Sequence, residues 1–146
     1  MQFRILGTYV QTELGHGSNV RGIETTATYD ANRKEFVINS PTLTSTKWWP
    51  GGLGLTATHC VLYARLILPS GEDKGIHGFF MQLRSVINHS PMPGVSLGDL
   101  GPKAGYNSMD NGFAKFDMVR IPRSYMLAGL AGVEPDGRYW QKTGDV

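Results

Sequence analysis

The chain has 146 residues, of which 40% are hydrophobic and 18% are charged, and its formal net charge is +2. This composition is typical of one globular domain with its own core and excludes a disordered chain. The small net charge argues against a partner recognised by bulk electrostatics, such as nucleic acid or an anionic membrane. A single cysteine, Cys60, excludes an intrachain disulfide, and no apolar run reaches the length of a membrane span.

The first part of the chain has the pattern of short β-strands separated by turns. Residues 7–11 are β-branched and aromatic and lead into a glycine-containing turn. Residues 23–29 alternate with a period of two, which predicts a strand with two distinct faces. The alternation puts every second residue on one face: Ile23, Thr25, Ala27 and Tyr29. Polar residues 30–34 predict a hairpin turn into a strand at 35–39, and Pro41 ends that strand.

The longest apolar run covers residues 58–67 and is predicted to be the central strand. Residues 69–75 have the composition of a surface turn, which returns the chain into a strand at 76–83. A further short strand is predicted at 95–100.

The last part of the chain begins with a second tight turn. Residues 110–112 have turn chemistry and precede a predicted single strand at 113–120. Residues 124–128 favour a short helical turn, and the polar residues from 134 to 146 are predicted to fray.

Many short strands with turns between them predict an all-β fold, either an antiparallel β-barrel or a two-sheet sandwich. No βαβ unit is visible, and no G-x-G-x-x-G segment opens a helix. A dinucleotide-binding fold of the Rossmann type is therefore excluded.

Two segments carry an unusual concentration of functional residue types. The segment TELGHGSN (residues 12–19) combines hydroxyl, carboxylate and amide groups with two glycines, and KWWPGGLG (residues 47–54) places paired indoles against a glycine-rich bend. Glycine allows the backbone to approach a ligand closely, and successive N–H groups can form a concave anion site. Indoles supply a flat apolar wall. The two segments thus predict two halves of a site for a planar, phosphate-bearing cofactor.

These segments, together with NSMDNG (residues 107–112), resemble the signature segments of peroxisomal acyl-CoA oxidases, flavoproteins related to the acyl-CoA dehydrogenases. The resemblance extends in order from residue 7 to residue 127. It implies that residues 1–133 form the middle β-barrel domain of such an enzyme. It also implies that residues 134–146 lead towards a helical domain that the chain does not contain. FAD is the implied cofactor and the peroxisome the implied location.

The resemblance implies five cofactor-binding residues: Thr12, Gly17, Ser18, Trp49 and Gly51. Thr12 and Gly51 would contact the flavin, and Trp49 would lie beside the isoalloxazine ring. Gly17 and Ser18 would belong to a loop that meets the diphosphate. Without the resemblance, each has an ordinary structural interpretation as a turn residue or as packing.

The implied reaction of the intact enzyme is oxidation of a fatty acyl-CoA to the trans-2-enoyl-CoA, with reduction of dioxygen to hydrogen peroxide. The family takes its catalytic glutamate from the C-terminal helical domain, so we expect no catalytic residue in this chain. Glu13 and Glu24 have the residue type of the catalytic base but lie in the wrong domain, so neither is assigned that role. The implied partners are the helical domains and a second subunit of a homodimer. The isolated chain is predicted to be inactive.

The remaining chemistry-bearing residues are interpreted structurally. None of the four histidines has metal-ligand spacing: His59 and His77 are predicted in strands, His89 in a loop and His16 in local hydrogen bonding. Trp48 is predicted to be a core residue. Four basic residues are predicted to be solvated: Arg21, Lys47, Arg65 and Arg84.

One position departs from the resemblance, because Leu55 stands where the family usually has a lysine. Two other function classes remain open at this point. One is a stand-alone β-barrel binding module without catalytic activity. The other is a single-strand nucleic-acid barrel, which the scattered basic residues disfavour.

Overall fold

The computed structural model describes residues 4–142, whose regular secondary structure is almost entirely β-strand. The strands are β1 (Gly7–Val10), β2 (Thr26–Asp30), β3 (Glu35–Asn39), β4 (Lys47–Trp48), β5 (His59–Ile67), β6 (Asp73–Gln82), β7 (Val95–Asp99), β8 (Gly112–Phe116), β9 (Val119–Pro122), β10 (Ala131–Val133) and β11 (Tyr139–Gln141). Two 3-10 turns, Val20–Gly22 and Arg123–Tyr125, are the helical segments of this part of the chain. Neither has the length and apolar character of a membrane-spanning helix. The predicted all-β class is confirmed.

Strand β5 is the centre of the largest sheet, as its long apolar run predicts. Along one edge it pairs antiparallel with β6. Along the other edge its first half pairs with β1 and its second half with β2, and the sheet continues through β3 to β9. Both β1 and β2 run parallel to β5, so the expectation of a purely antiparallel fold is wrong at these two pairings. Long connections separate the parallel strands, as parallel pairing requires.

A second sheet, β4-β8-β7, packs against the first around a shared core. The buried cluster contains Phe36 and Phe79 from the large sheet and Phe116 from the small one. The rings of Phe36 and Phe79 meet edge to face, with centroids 5.0 Å apart. Burying each such ring contributes about 1.5–3 kcal/mol, so this core holds the two sheets together.

The predicted hairpin is present as β2 and β3, which pair from Thr26 with Asn39 to Asp30 with Glu35. Lys34 in its turn has a positive φ of 56°. The predicted alternation is also confirmed, because one set of side chains is buried: Ile23, Thr25, Ala27 and Tyr29. The other face is partly or fully exposed.

Two predictions for the C-terminal part are wrong. Residues 113–120 do not form one strand, because β8 pairs with β7 in the small sheet while β9 pairs with β3 in the large one. The chain turns between them at Met118, whose φ is 50°. Residues 134–142 do not fray either: β11 pairs with β10, and the Tyr139 hydroxyl lies 3.2 Å from His77 Nε2. Residues 143–146 lie outside the described residues.

The predicted helical turn is confirmed as the 3-10 segment Arg123–Tyr125, slightly earlier than expected.

Candidate functional site

The two segments with unusual composition are hydrogen-bonded to each other. An isolated antiparallel bridge joins Glu13 to Lys47. Around it, the Leu14 N–H donates to the Thr46 carbonyl at 2.8 Å, and the Trp48 N–H donates to the Thr12 carbonyl at 3.0 Å. Main-chain pairing therefore brings the first segment directly against the second.

The third segment, residues 107–112, lies under the glycine-rich bend. The Trp49 N–H donates to the Gly112 carbonyl at 2.9 Å, and the Gly112 N–H donates to the Pro50 carbonyl at 3.1 Å. A Cβ at Gly112 would lie 2.3 Å from the Gly54 nitrogen. Only glycine permits this close approach of the two backbones.

Where the three segments meet, they line an open cleft of about 730 Å³, within the usual range for ligand sites. Its lining residues are Tyr9, Gln11, Thr12, Trp49, Pro50, Gly51, Gly105, Tyr106, Met109 and Asn111. Three of the five sequence-predicted site residues, Thr12, Trp49 and Gly51, are thus brought together.

Thr12 and Gly51 present different hydrogen-bonding groups at the cleft. The Thr12 hydroxyl donates to the Trp48 carbonyl at 2.6 Å, which leaves its oxygen free to accept. The Gly51 carbonyl accepts from the Thr8 hydroxyl at 2.6 Å. Within residues 4–142 the Gly51 N–H donates to no acceptor. A Cβ at Gly51 would meet Met109 Sδ at 3.1 Å.

The two tryptophans are both exposed, contrary to the prediction that Trp48 belongs to the core. Trp48 is 37% exposed and stacks on Phe113 with ring centroids 6.1 Å apart. Adjacent strand residues point to opposite faces, and Lys47 occupies the inward position of β4. Trp49 is 52% exposed at the cleft.

Gly17 and Ser18 do not line the cleft with the other three predicted residues. They lie in an exposed turn in which the Val20 N–H donates to the Ser18 carbonyl at 3.0 Å. No atom lies within 4 Å of a Cβ built on Gly17. The structure therefore separates these two residues from the cleft.

A buried ion pair lies directly behind the cleft, and sequence reasoning missed it by placing Lys47 at the surface. Lys47 Nζ lies 3.1 Å from Glu13 Oε1, and both side chains are fully buried. The ammonium also donates to the carbonyls of Gln11 at 2.9 Å and Tyr63 at 2.7 Å. Burial lowers the pKa of Lys47 to about 8, and the Glu13 carboxylate opposes that shift.

The Glu13 carboxylate is satisfied by further donors. Its oxygens accept from the Glu24 N–H at 2.8 Å, the Thr25 N–H at 2.9 Å and the Thr25 hydroxyl at 2.6 Å. We call Glu13, Thr25 and Lys47 the buried anchor. The sequence contains a signal for this anchor, because a carboxylate and a lysine lie in two segments that are predicted to meet.

Arg84 is likewise buried rather than solvated. Its guanidinium donates to the carbonyls of Ala57 at 2.8 Å, Leu53 at 3.1 Å and Gly54 at 2.6 Å. Residues 51–57 form turns without strand pairing, so their carbonyls need such a donor. Burial lowers the pKa of Arg84. The side chain fixes the loop that follows Gly51.

The two other basic residues fit the prediction better. Arg21 is exposed, and Arg65 is partly exposed and pairs with Asp73 at 2.7 Å.

Neither candidate glutamate is placed to act as a base in the cleft. Glu13 is held in the buried anchor. Hydrogen bonds from the Thr42 hydroxyl, His16 and the Thr44 hydroxyl lower the pKa of Glu24 to about 2. Among the described residues, the lining of the cleft includes no carboxylate. The described lining thus offers walls and hydrogen-bonding groups at the cleft, and its side chains include no carboxylate or imidazole to accept a proton.

Three of the histidines have the predicted structural settings, whereas the side chain of His16 hydrogen-bonds outside its own turn. His59 lies in β5 and stacks on Phe80, His77 lies in β6, and His89 lies in a loop. His16 Nε2 lies 2.9 Å from Glu24 Oε1. Across residues 4–142, no three side chains of the metal-binding types gather closely enough to hold an ion.

Leu55 is 61% exposed beside this region, and its N–H donates to the Asp110 carboxylate at 2.9 Å.

Comparison with known proteins identifies the family. Residues 8–119 match the family model described as acyl-CoA dehydrogenase, middle domain. The putative peroxisomal acyl-coenzyme A oxidase 1.2 of Arabidopsis thaliana is 59% identical over 141 residues, which cover 94% of this chain and 21% of that protein. The chain therefore spans about a fifth of the length of this relative.

Solved structures show the same fold. Acyl-CoA oxidase 1 of Arabidopsis thaliana superimposes with a TM-score of 0.93 at 59% identity, over 95% of this chain and 21% of that one. Acyl-CoA oxidase-2 of Caenorhabditis elegans, bound with FAD, ascaroside-CoA and ATP, superimposes with a TM-score of 0.93 at 45% identity, over 97% and 21%. These relatives are all acyl-CoA oxidases, and the chain belongs to the acyl-CoA dehydrogenase middle-domain family.

Proposed function

We propose that this chain forms the wall of an acyl-CoA oxidase active site at which FAD and the fatty acyl-CoA meet. The observation that carries the proposal is the grouping of Thr12, Trp49 and Gly51 around one cleft. Two sequence segments about thirty residues apart supply these residues, and main-chain hydrogen bonds hold the segments together. In this proposal the parent enzyme oxidises a fatty acyl-CoA to the trans-2-enoyl-CoA and reduces dioxygen to hydrogen peroxide.

The cleft residues fit a flavin ring chemically. The free Gly51 N–H is a donor suited to a ring carbonyl oxygen, and the Thr12 oxygen can accept from a ring N–H. Donation by Thr12 to the ligand would require its hydroxyl to rotate away from the Trp48 carbonyl. The half-exposed indole of Trp49 supplies an apolar surface for a planar ring. Main-chain and side-chain groups thus match both edges and the face of the ring.

The chain would bind and orient rather than carry the chemistry. A bound FAD would supply the redox chemistry, namely hydride acceptance at the β-carbon and electron transfer to dioxygen. Thr12 and Gly51 would hold the ring in place, and Trp49 would exclude water from one side of it. The base that removes the α-proton would come from another domain, because the described lining of the cleft has no carboxylate.

Gly17 and Ser18 belong to this proposal with a different role. They lie in an exposed turn outside the cleft, so they are free to meet a distant part of the cofactor such as its diphosphate. Completion of the site would then require the helical domains and a second subunit of a homodimer. The Arabidopsis relative is named a peroxisomal enzyme, which supports a peroxisomal location for the parent protein.

Flavin binding tests the proposal in the intact oxidase that contains this chain. Thr12→Val should weaken FAD binding about fivefold, because one net hydrogen bond is worth about 1 kcal/mol. Thr28→Val, an exposed threonine on β2, is the matched control and should leave FAD binding unchanged. Equal FAD affinity for both variants and the parent, measured by flavin absorbance after dialysis, would contradict the role of Thr12.

The isolated chain should bind FAD weakly at best and should not turn over. Incubation of the chain with FAD and palmitoyl-CoA should release no hydrogen peroxide, since the chain lacks a base at the cleft. Peroxide release above the FAD-only background would overturn this expectation.

The stand-alone binding module is the competing function. It would be favoured if no flavin bound at saturating FAD, either to the isolated chain or to the longer protein that contains it. The nucleic-acid alternative loses support from the structure, because Lys47 and Arg84 are buried and bonded to protein carbonyls. Neither can contribute to a basic groove.

A further inference from the structure

Trp49 has an unusual backbone conformation for a tryptophan. Its φ is 85°, in the left-handed region that side chains rarely adopt. Among the described residues, five other than glycine have a positive φ, and two of these, Trp49 and Tyr106, line the cleft. Such strained residues persist where the surrounding structure holds them, and they cluster at ligand sites. The question is what holds Trp49.

Two consecutive residues bind both polar groups of the Trp49 main chain. The Trp49 N–H donates to the Gly112 carbonyl at 2.9 Å. The Trp49 carbonyl accepts from Asn111 Nδ2 at 2.7 Å. The Gly112 N–H in turn donates to the Pro50 carbonyl at 3.1 Å, and the Gly54 backbone lies so close that a Cβ at Gly112 would be 2.3 Å from its nitrogen. Of these two partners of Trp49, Gly112 acts through its main chain and Asn111 acts through its side chain.

Asn111 is a costly choice for a position of this kind. It is 5% exposed, and its Oδ1 has no hydrogen-bond partner in the described part of the chain. A buried acceptor without a partner destabilises the fold, and an apolar residue of similar size would avoid that cost. The useful group of the side chain is therefore its amide donor, which is directed at Trp49.

We propose that Asn111 is a positioning residue that holds the Trp49 carbonyl and so keeps the indole at the wall of the cleft. The inference rests on the proposed function only for the identity of the ring that the indole would face. Loss of the amide donor would let the Trp49 peptide relax towards an unstrained conformation. The indole would then leave its position against the bend at Gly51.

The test uses the purified chain without any ligand, with Trp48→Phe and Trp140→Phe so that Trp49 is the only fluorophore of its kind. Asn111→Ala is compared with Asn107→Ala, whose amide bonds to Lys103 and not to Trp49. Asn111→Ala should raise the population of an alternative Trp49 conformer by roughly fivefold, the equivalent of one net hydrogen bond. Acrylamide quenching and near-UV circular dichroism report that population. Asn107→Ala should match the parent in both, and identical signals for all three chains would overturn the proposal.

A second comparison separates positioning from a general loss of stability. Glycine adopts positive φ freely, so in a Trp49→Gly background there is no backbone strain for the loss of the Asn111 amide to release. Asn111→Ala should then lower the urea midpoint more in this background than in the parent, where relaxation of the strained Trp49 peptide offsets part of the lost hydrogen bond. An equal decrease in both backgrounds would overturn the positioning role.

These measurements are independent of the proposed function. Failure of the intact oxidase that contains this chain to bind FAD would contradict the assignment as an oxidase wall. It would leave the ligand-free comparison of Asn111 and Asn107 unaffected.

Discussion

Glu13 of the buried anchor and the turn that carries Gly17 and Ser18 come from the same eight-residue segment, yet their surroundings are opposite. The Glu13 carboxylate is fully buried and meets an ammonium and three further donors. Ser18, five residues later, is exposed and makes a local backbone bond. The inner half of the segment therefore fixes the two walls of the cleft relative to each other, while the outer half is left accessible to a partner or ligand.

The difference also explains why the anchor can be ionic. Two buried charges are tolerated when geometry is good and the remaining hydrogen-bonding groups are satisfied. Here Lys47 Nζ donates to two carbonyls as well as meeting Glu13. We infer that the anchor fixes the register between the two segments, because its partners come from both. Changes in the anchor and in the turn should consequently have very different effects.

The largest effect should follow from Lys47→Met. It removes the buried cation and leaves the Glu13 carboxylate unpaired, which should destabilise the chain by about 3–5 kcal/mol. Urea unfolding followed by circular dichroism measures the change. The double variant Glu13→Gln/Lys47→Met should recover part of this loss, because no lone charge remains. Lys115→Met, at an exposed position of β8, is the control and should change the stability by less than about 0.5 kcal/mol. A small effect of Lys47→Met would show that the pair is not the anchor that we describe.

An intermediate, pH-dependent effect should follow from Glu24→Gln. The pKa of Glu24 is lowered to about 2 in the folded chain, chiefly by hydrogen bonds from Thr42, His16 and Thr44. The ordinary pKa of a glutamate side chain is 4.5, so the stabilisation by Glu24 is present above that pH and is lost as pH falls towards 2. Glu24→Gln should therefore make the decrease in urea midpoint over this range shallower. Glu72→Gln, on an exposed turn, serves as the surface control, and an unchanged slope in Glu24→Gln would contradict the prediction.

The smallest effect should follow from Gly17→Ala in the outer turn. A Cβ at Gly17 meets no atom within 4 Å, so stability should change by less than about 0.5 kcal/mol. Gly112→Ala is the matched comparison, because its Cβ would lie 2.3 Å from the Gly54 nitrogen and should cost about 1–3 kcal/mol or more. Thermal unfolding of the two variants measures the difference. Similar losses for both would contradict the description of the Gly17 turn as open and unpacked.

Much of the fold could be predicted from local pattern. The period-two alternation at 23–29 and the turn residues at 30–34 are local signals, and both were interpreted correctly. The break at Met118 is not evident in this way, because strand-favouring residues lie on both sides of it (Phe113, Phe116 and Val119). The pairing of β8 and β9 with strands of two different sheets is what separates them. The prediction that the polar tail frays is wrong for a similar reason, because β11 is stabilised by its contacts with β10 and His77 and not by its own composition.

The candidate site likewise has some features that the sequence predicts and others that depend on tertiary contacts. The residue types and spacing of segments 12–19, 47–54 and 107–112 are properties of the sequence, and they were sufficient to predict a site for a planar, phosphate-bearing cofactor and to indicate the family. Which of their residues share a cleft was decided by tertiary structure, since hydrogen bonds between distant segments bring Thr12 to Gly51 and leave Ser18 apart. Burial of Lys47 and the left-handed backbone of Trp49 were likewise decided only in three dimensions. Both depend on partners many residues away along the chain, and a local pattern carries no information about those contacts.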